Sequence, residues 1–379
     1  MTSKLAKAID SRLGEGVAGR VGSYIKGGFK QYITARLGWK YTLAWAGSAA
    51  LLLLVLSGII VLVYYRPTAK QAYESISYIA DNVRFGWLAI QVHRWATGVL
   101  VFVLGLAIAR DFLWANYRFP GDFAWMMLIG IFGVVLGFTF TGRVLPWDQH
   151  AYHATMISTE IARSLWIPGE WACYLMRGGK TVSNETITRF LVLHILFLPM
   201  ALMAVAAGRA ILAGMVGRGE EGEGENATHD FRVQVGRGTI VFSITILVIL
   251  SGAILFPIPL DDRADPTTVP ELLKPEWYFL PLHQLTKYFP AWVCALVGLI
   301  VPALLALLPF VDRNKSKRPA DRKKYLSIAA LLLAVTLFLG ILGHLSGRER
   351  TYFGKKIRFS MEGIPMFIGE TPLVEEIED

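Results

Sequence analysis

The feature that most constrains this chain is a series of seven long apolar runs, separated by stretches that hold most of the charge. Each run has roughly 20 residues, the length that an α-helix needs to cross the apolar core of a bilayer. The runs lack the period-two alternation of a membrane β-strand, so they predict an all-α membrane protein with seven transmembrane helices. In chain order the runs are Tyr41–Tyr65, Gly86–Ala109, Phe123–Thr141, Ile187–Ile211, Gly238–Pro257, Trp292–Phe310 and Lys324–His344.

Composition argues against a soluble basic protein. Of the 379 residues, 54% are hydrophobic and only 18% are charged, with a formal net charge of +9. A soluble domain of this length has a lower apolar fraction and shorter apolar runs. Because the charges lie between the runs, the positive balance indicates cationic loops at a membrane and no nucleic-acid partner.

Loop charge predicts the orientation of the chain. Basic and apolar residues alternate over residues 1–40, which predicts an amphipathic helix on the cytoplasmic membrane surface. The positive-inside rule puts this segment and the basic loop between the last two runs in the cytoplasm. The tail, residues 346–379, is then periplasmic, and the chain spans the inner cell membrane. The basic loop carries Arg313, Lys315, Lys317, Arg318, Arg322, Lys323 and Lys324.

A glycine- and glutamate-rich segment divides the chain. Residues 214–230 predict a flexible acidic linker between a four-helix part, residues 41–213, and a three-helix part, residues 231–345. The loops that follow the third and fifth runs are long and contain proline and tryptophan. Long ordered loops of this kind usually carry function.

Two histidines lie inside the apolar runs, where a titratable group is costly and needs a reason. His93 is about eight residues into the second run and His194 about seven into the fourth, so both lie roughly 12 Å below the same face. Two imidazoles at equal depth can ligate one haem iron from opposite sides. Gly58 and Gly142 would give a flat macrocycle room to approach. The alternative is that each histidine is an isolated, hydrogen-bonded intramembrane residue.

Five groups of short motifs, in one order along the chain, carry a family resemblance. With them the chain resembles cytochrome b of quinol-oxidising bc complexes, and especially the two-chain version of bf complexes fused into one polypeptide. The resemblance implies a four-helix haem-binding bundle followed by a three-helix part. The motifs are Tyr64-Tyr65-Arg66-Pro67-Thr68, Phe85-Gly86-Trp87-Leu88 with His93-Arg94-Trp95, Leu145-Pro146-Trp147-Asp148-Gln149, Thr188-Arg189-Phe190 before His194, and Pro275-Glu276-Trp277-Tyr278 after Ala264-Asp265-Pro266.

The resemblance also implies a quinol-oxidation pocket near the outer face, lined by the Pro-Glu-Trp-Tyr motif. Quinol loses two protons with its two electrons, so Glu276 is the candidate proton acceptor and Tyr278 would shape the pocket. An exposed loop carboxylate beside aromatic packing is the alternative interpretation of Glu276.

Three arginines are candidate cofactor-binding residues. Arg94 and Arg189 belong to the matching motifs. Arg143 stands where the family has tyrosine, and it is either the partner of a haem propionate or a surface cation; the sequence does not decide between these.

The chain departs from the family where a second haem would bind. The positions of the second ligand pair hold Ala107 and either Gly208 or Arg209, and the matching helix glycines are replaced by Ala44 and Leu128. None of these side chains is a usual iron ligand, because alanine and glycine have no donor atom and arginine stays protonated. We therefore expect one haem b, on the outer side, and no inner haem. A ligand supplied by a partner subunit is the rival possibility.

These inferences predict the membrane subunit of a respiratory or photosynthetic quinol–cytochrome c reductase-like complex. One electron from quinol would pass to a Rieske-type iron–sulfur partner and the other to the single haem. A c-type cytochrome or other acceptor subunit and a homodimer are the further expected partners. A haem b anchor of another respiratory complex and a degenerate scaffolding subunit are the alternatives. A second cofactor site or a proton path is a minor possibility for four more histidines, His150, His153, His283 and His344.

Overall fold

The structure is a computed structural model that describes most of the chain. The predicted amphipathic segment up to residue 37, the second half of the acidic linker and four cations of the basic loop lie outside the described residues. The four cations are Arg313, Lys315, Lys317 and Arg318. The described residues are 38–119, 121–220, 231–270, 272–312, 314, 316, 319–352 and 355–367.

Helices dominate this part of the chain. A π-helical turn, Leu193–Phe197, joins α7 and α8 into one continuous helix, and a 3₁₀ turn, Pro319–Arg322, precedes α13. The α-helices are α1 (Gly38–Tyr64), α2 (Ala72–Asn82), α3 (Gly86–Leu113), α4 (Asp122–Val144), α5 (Gln149–Arg163), α6 (Trp166–Arg177), α7 (Asn184–Val192), α8 (Leu198–Glu220), α9 (Phe231–Leu255), α10 (Leu280–Leu285), α11 (Ala291–Ala306), α12 (Leu308–Val311) and α13 (Lys323–Leu345).

The predicted all-α membrane fold is confirmed. Among the described residues, 6 helices are long and apolar enough to cross a membrane: α1, α3, α4, α7–α8, α9 and α13. The sixth apolar run forms α11, which has only 16 residues. At about 1.5 Å per residue it is roughly 24 Å long, and α12 continues the same apolar run after a break at Leu307.

Two predicted segments are more ordered than expected. The helix α8 continues to Glu220 and takes in the first seven residues of the predicted linker, because extending an existing helix costs little. The tail forms a three-stranded antiparallel sheet in the order β1-β2-β3, with β1 at Glu349–Tyr352, β2 at Lys355–Phe359 and β3 at Pro365–Phe367. These strands were not predicted from the sequence.

Small buried residues hold the two parts of the chain together. Ala50 of α1, Ala96 of α3 and Ala253 of α9 are fully buried in one core. Small residues let membrane helices approach closely, which favours packing. The close approach is extreme at Gly252 of α9, where an added Cβ atom would lie 2.6 Å from the Trp95 ring. The three-helix part therefore packs directly on the four-helix part through α9.

We name the two ends of the helix bundle by residues that lie there. At the Glu276 end, α3 starts, α4 stops and α13 leads into the sheet. This end is covered by α5 and α6, which form in the predicted loop after the third run. The Asp148 carboxylate starts α5 as its N-cap, accepting a hydrogen bond of 2.7 Å from the Ala151 N–H.

The opposite, Arg209 end is fastened by buried polar contacts. Arg322 was predicted as a cation of the basic loop, and its side chain is buried. Its guanidinium donates to the carbonyls of Leu113 (3.0 Å) and Phe112 (2.9 Å) at the end of α3. The Phe112 carbonyl also accepts from the Ala115 N–H at 3.1 Å, so the arginine completes the hydrogen bonding at the end of α3.

One glycine fixes the corner between α2 and α3. An ideal Cβ atom at Gly86 would lie 1.9 Å from the carbonyl oxygen of Ile79. We expect Gly86→Ala to destabilise the protein by on the order of 2 kcal/mol, because backbone must move. Gly105→Ala in the same helix is the matched control, since no heavy atom lies within 4 Å of its Cβ position. Thermal unfolding of the purified protein in detergent measures the difference, and equal transitions for the two variants would contradict it.

Candidate functional site

The two intramembrane histidines face each other. His93 comes from α3 and His194 from the π-helical turn, and their ring centroids are 6.2 Å apart with an interplanar angle of 54°. Two imidazoles that ligate one metal ion at about 2.0–2.1 Å from opposite sides place their ring centroids roughly 6 Å apart. The observed separation therefore fits bis-imidazole ligation of a single iron.

A hydroxyl group orients each imidazole. Ser57 Oγ donates to the Leu53 carbonyl at 2.5 Å and lies 3.1 Å from His93 Nδ1. Thr141 Oγ1 donates to the Gly137 carbonyl at 2.8 Å and lies 3.0 Å from His194 Nδ1. Each hydroxyl hydrogen is used by a carbonyl, so each hydroxyl oxygen accepts from the Nδ1–H of its histidine.

This hydrogen bonding fixes the tautomer of both rings. With the hydrogen on Nδ1, the Nε2 atom of His93 and of His194 keeps its lone pair, which is the arrangement that metal-ligating histidines adopt. Ser57 and Thr141 were not predicted from the sequence as hydrogen-bond partners of the histidines. A signal was available, because a hydroxyl residue directly precedes each of the two predicted glycines.

The two glycines bring their helices against the rings. An added Cβ atom at Gly58 would lie 3.2 Å from His93 Cε1, and one at Gly142 would lie 2.8 Å from His194 Cε1. From the sequence, these glycines were predicted to leave room for a macrocycle. In the structure their immediate neighbour is the imidazole ring.

Glu276 lies in an ion-pair cluster at the end of α4. Arg143 Nε is 3.1 Å from Glu276 Oε1, and Arg143 Nη1 is 3.4 Å from Asp148 Oδ2. Tyr278 packs nearby against the core of α1, α3, α4 and α9. Burial, reinforced by the negative charge of Glu276, raises the pKa of the Tyr278 phenol, so it remains a hydrogen-bond donor at neutral pH.

The other two candidate arginines make backbone contacts. Arg94 donates to the carbonyls of Ile258 (2.9 Å) and Pro259 (3.1 Å), beside the cluster of Glu276. Arg189 donates to the Leu175 carbonyl at 2.5 Å and so contacts the end of α6. The structure therefore brings Arg94, Arg143, Glu276 and Tyr278 to one end of the bundle, whereas the recorded contacts of Arg189 are with α6.

The positions of a second haem hold packed and paired side chains. Arg209 Nη2 is 3.3 Å from Asp111 Oδ2, and Arg209 also donates to the Ala124 carbonyl. The Met127 sulfur lies 2.9 Å from the position of a Cβ atom on Gly208, and Leu128 is buried. The Arg209 end thus contains an ion pair where the Glu276 end contains two facing imidazoles.

Three of the four further histidines contact other groups, and the fourth, His283, is half-buried. His150 Nδ1 is 3.5 Å from Asp261, His153 Nε2 donates to the Thr268 carbonyl at 2.9 Å, and His344 Nε2 accepts from Arg348 at 3.4 Å. Burial lowers the pKa of His283 to about 4, so it is neutral at physiological pH. Within the described ranges, no group of three or more His, Cys, Asp and Glu side chains is arranged to hold a metal ion.

The fit at Gly142 gives a test of the histidine site. We expect Gly142→Ala to lower haem retention, because its methyl group would displace the His194 ring from its hydrogen bond to Thr141. Gly133→Ala, in the same helix and with no heavy atom within 4 Å, is the matched control. The ratio of b-type haem absorbance to protein measures retention. Equal haem content in the two variants would show that the ring tolerates the methyl group.

Comparisons with known proteins identify the family and the fold of the chain. The family model described as cytochrome b/b6/petB matches residues 29–213, and that described as cytochrome b(C-terminal)/b6/petD matches residues 263–359. A solved structure of a hyperthermophilic respiratory Complex III contains a chain with the same fold, at a TM-score of 0.73 and 22% identity, covering 90% of this chain and 92% of that one.

Similar curated proteins include three from different bacteria. A cytochrome bc complex cytochrome b subunit of Chlorobaculum thiosulfatiphilum is 31% identical over 69% of this chain, which spans 64% of that relative. A cytochrome b of Rickettsia prowazekii is 28% identical over 83% of this chain and 82% of the relative. A cytochrome b6 of Prochlorococcus marinus is 34% identical over 45% of this chain and 79% of the relative. With both family models matched and the paired histidines in place, the chain belongs to the cytochrome b/b6 family.

Proposed function

We propose that this chain is the membrane subunit of a bc-type quinol oxidoreductase that oxidises quinol at the Glu276 end. The observation that carries the proposal is that one turn of α4 contacts both His194 and Glu276. Thr141 orients His194, and Arg143, two residues later, pairs with Glu276. The histidine site and the proposed quinol pocket are therefore built on the same helical turn, which suits electron transfer over a short distance.

The chemistry needs acceptors for two electrons and two protons. A haem b held by Nε2 of His93 and of His194 supplies a one-electron acceptor. The resemblance to bc complexes supplies the second, a Rieske-type iron–sulfur partner, with a c-type cytochrome or other acceptor subunit beyond it. Glu276 is positioned to receive one proton from a quinol hydroxyl, the other proton leaves to water at the outer face, and Tyr278, hydrogen-bonded to Thr139, shapes the pocket.

We propose that the chain holds one haem b and not two. The support is the Arg209 end, where Met127 fills the space beside Gly208 and Arg209 pairs with Asp111. A haem there would have to displace the methionine and break the largely buried ion pair. Breaking such a pair is costly, because it leaves a buried charge without its partner. Electrons that reach the outer haem would then leave to another subunit or to the second protomer of a dimer.

The orientation completes the proposal. The Glu276 end and the sheet face the outer side of the inner membrane, and the Arg209 end faces the cytoplasm. The support is the distribution of basic residues, because Lys323 and Lys324 begin α13 at the Arg209 end beside the basic loop. Protons released from quinol at the Glu276 end would then leave to the outside.

Haem counting tests the one-haem proposal. We expect one haem b per chain in the purified complex, because only the Glu276 end presents two facing imidazoles among the described residues. A pyridine haemochrome assay against quantified protein measures the ratio, and His194→Ala should reduce it to near zero. Two haems per chain would refute the proposal and point to a ligand from outside this chain.

Glu276 gives the test of the activity. We expect Glu276→Gln to slow quinol oxidation by about 10²-fold, since a positioned general base contributes at least that much to many proton transfers. Glu170→Gln, a substitution of an exposed glutamate of α6, is the matched control. Turnover with a soluble quinol analogue is measured at equal haem content. Full activity of Glu276→Gln would favour the alternative of a haem b anchor with no quinol chemistry of its own.

A further inference from the structure

Arg143 lies between two carboxylates that differ in mobility. Its Nε atom faces Glu276 at 3.1 Å and its Nη1 atom faces Asp148 at 3.4 Å. A guanidinium group has five donors in a planar fork, so it can hold both carboxylates at once, which a lysine ammonium on a flexible stem does less well. Arg143 is thus a shared cation for the two acids.

Asp148 is fixed in place. Its side chain is 1% exposed, and its other carboxylate oxygen accepts from the Ala151 N–H at 2.7 Å as the N-cap of α5. The neighbouring backbone is fastened as well, because Gln149 N–H donates to the Asp262 carbonyl at 2.7 Å. Asp148 is therefore a stationary partner for Arg143.

Glu276 is held less tightly. Its side chain is 35% exposed, and it stands in a turn before α10 and not inside a regular helix. Its carboxylate can rotate away from Arg143 without disturbing the backbone of a long helix. Of the two acids, Glu276 is the one that is able to change partner.

The base of Arg143 is held by the histidine site. It directly follows Gly142, which contacts the His194 ring, and Thr141, which accepts from that ring. Arg94 lies within electrostatic range of Arg143, Asp148 and Glu276. Two cations and two carboxylates thus form a group with no net charge. If one carboxylate loses its charge, Arg143 remains paired with the other.

We propose that Arg143 is a positioning residue for the quinol oxidation proposed above: it holds the Glu276 carboxylate towards the pocket and stays paired with Asp148 alone when Glu276 takes a proton. In that step a quinol O–H bond breaks and the proton joins a Glu276 carboxylate oxygen. The electrons leave to the two one-electron acceptors named above, and the proton of the second quinol hydroxyl passes to water at the outer face, so a neutral quinone remains. The neutral Glu276 then loses its attraction to Arg143, turns outwards and gives its proton to water.

This inference rests on the proposed function and makes a separate prediction. Arg143→Gln should lower kcat about tenfold with little change in KM, because it disturbs the orientation of the acceptor and not the binding of quinol. In a Glu276→Gln background the same change should cost no more than about twofold, since Arg143 acts through Glu276 and such pairs are non-additive. The haem content should be unchanged.

Kinetics of the purified complex with a soluble quinol analogue test the prediction in four forms: unsubstituted, Arg143→Gln, Glu276→Gln and the double variant. Arg163→Gln is the control, because Arg163 also pairs with two glutamates, Glu160 at 3.6 Å and Glu170 at 3.2 Å, but on the exposed surface of α5 and α6. If Arg143→Gln loses haem, Arg143→Lys takes its place in the same cycle, with the same non-additivity and a smaller single loss.

Two outcomes separate the ideas. Independent losses that multiply in the double variant would overturn the positioning role. If Glu276→Gln itself leaves turnover intact, the proposed function loses its proton acceptor and the inference falls with it.

Discussion

The hydrogen bond between His194 Nδ1 and Thr141 is the interaction on which the rest of the site depends. It sets the tautomer of one proposed iron ligand and the rotation of its ring, and Ser57 does the same for His93 at nearly the same distance. Both hydroxyls are themselves tied to helix carbonyls, so the imidazoles are oriented through the backbone of α1 and α4. An imidazole in lipid without such a partner would leave a costly unsatisfied donor. One pair of bonds therefore removes the cost of burial and prepares the ligands.

Much of this arrangement was predictable from the sequence because intramembrane polar groups are rare and expensive. The cost singles out His93 and His194 without any knowledge of the fold, and hydropathy alone finds the helices that carry them. Spacing then relates the two histidines in depth, and the structure places their rings 6.2 Å apart. The motif around Glu276 was found by family resemblance, and no spacing argument could have replaced it.

What the sequence did not predict depends on contacts between distant residues. The partner of Arg143 is Glu276, more than a hundred residues away, and neither interpretation of Arg143 from the sequence, a haem propionate partner or a surface cation, included this ion pair. The π-helical turn that carries His194 is a local rearrangement of hydrogen bonds with no compositional signal. Arg322 looked like any loop cation, because the carbonyls that hold its guanidinium belong to the end of α3, more than 200 residues earlier in the chain.

The two ends of the bundle solve one physical problem in opposite ways. In lipid an unpaired polar group is costly. A haem site nevertheless needs polar atoms that are kept for the ligand. At the Glu276 end the imidazoles keep their Nε2 lone pairs free and only their Nδ1 atoms are paired. At the Arg209 end the cation and Asp111 satisfy each other, and Met127 occupies the space beside Gly208. Loss of a haem ligand alone would leave a void and an uncompensated group, each destabilising. Placing a histidine at Gly208 would therefore not recreate a site, since the methionine and the ion pair would still occupy it.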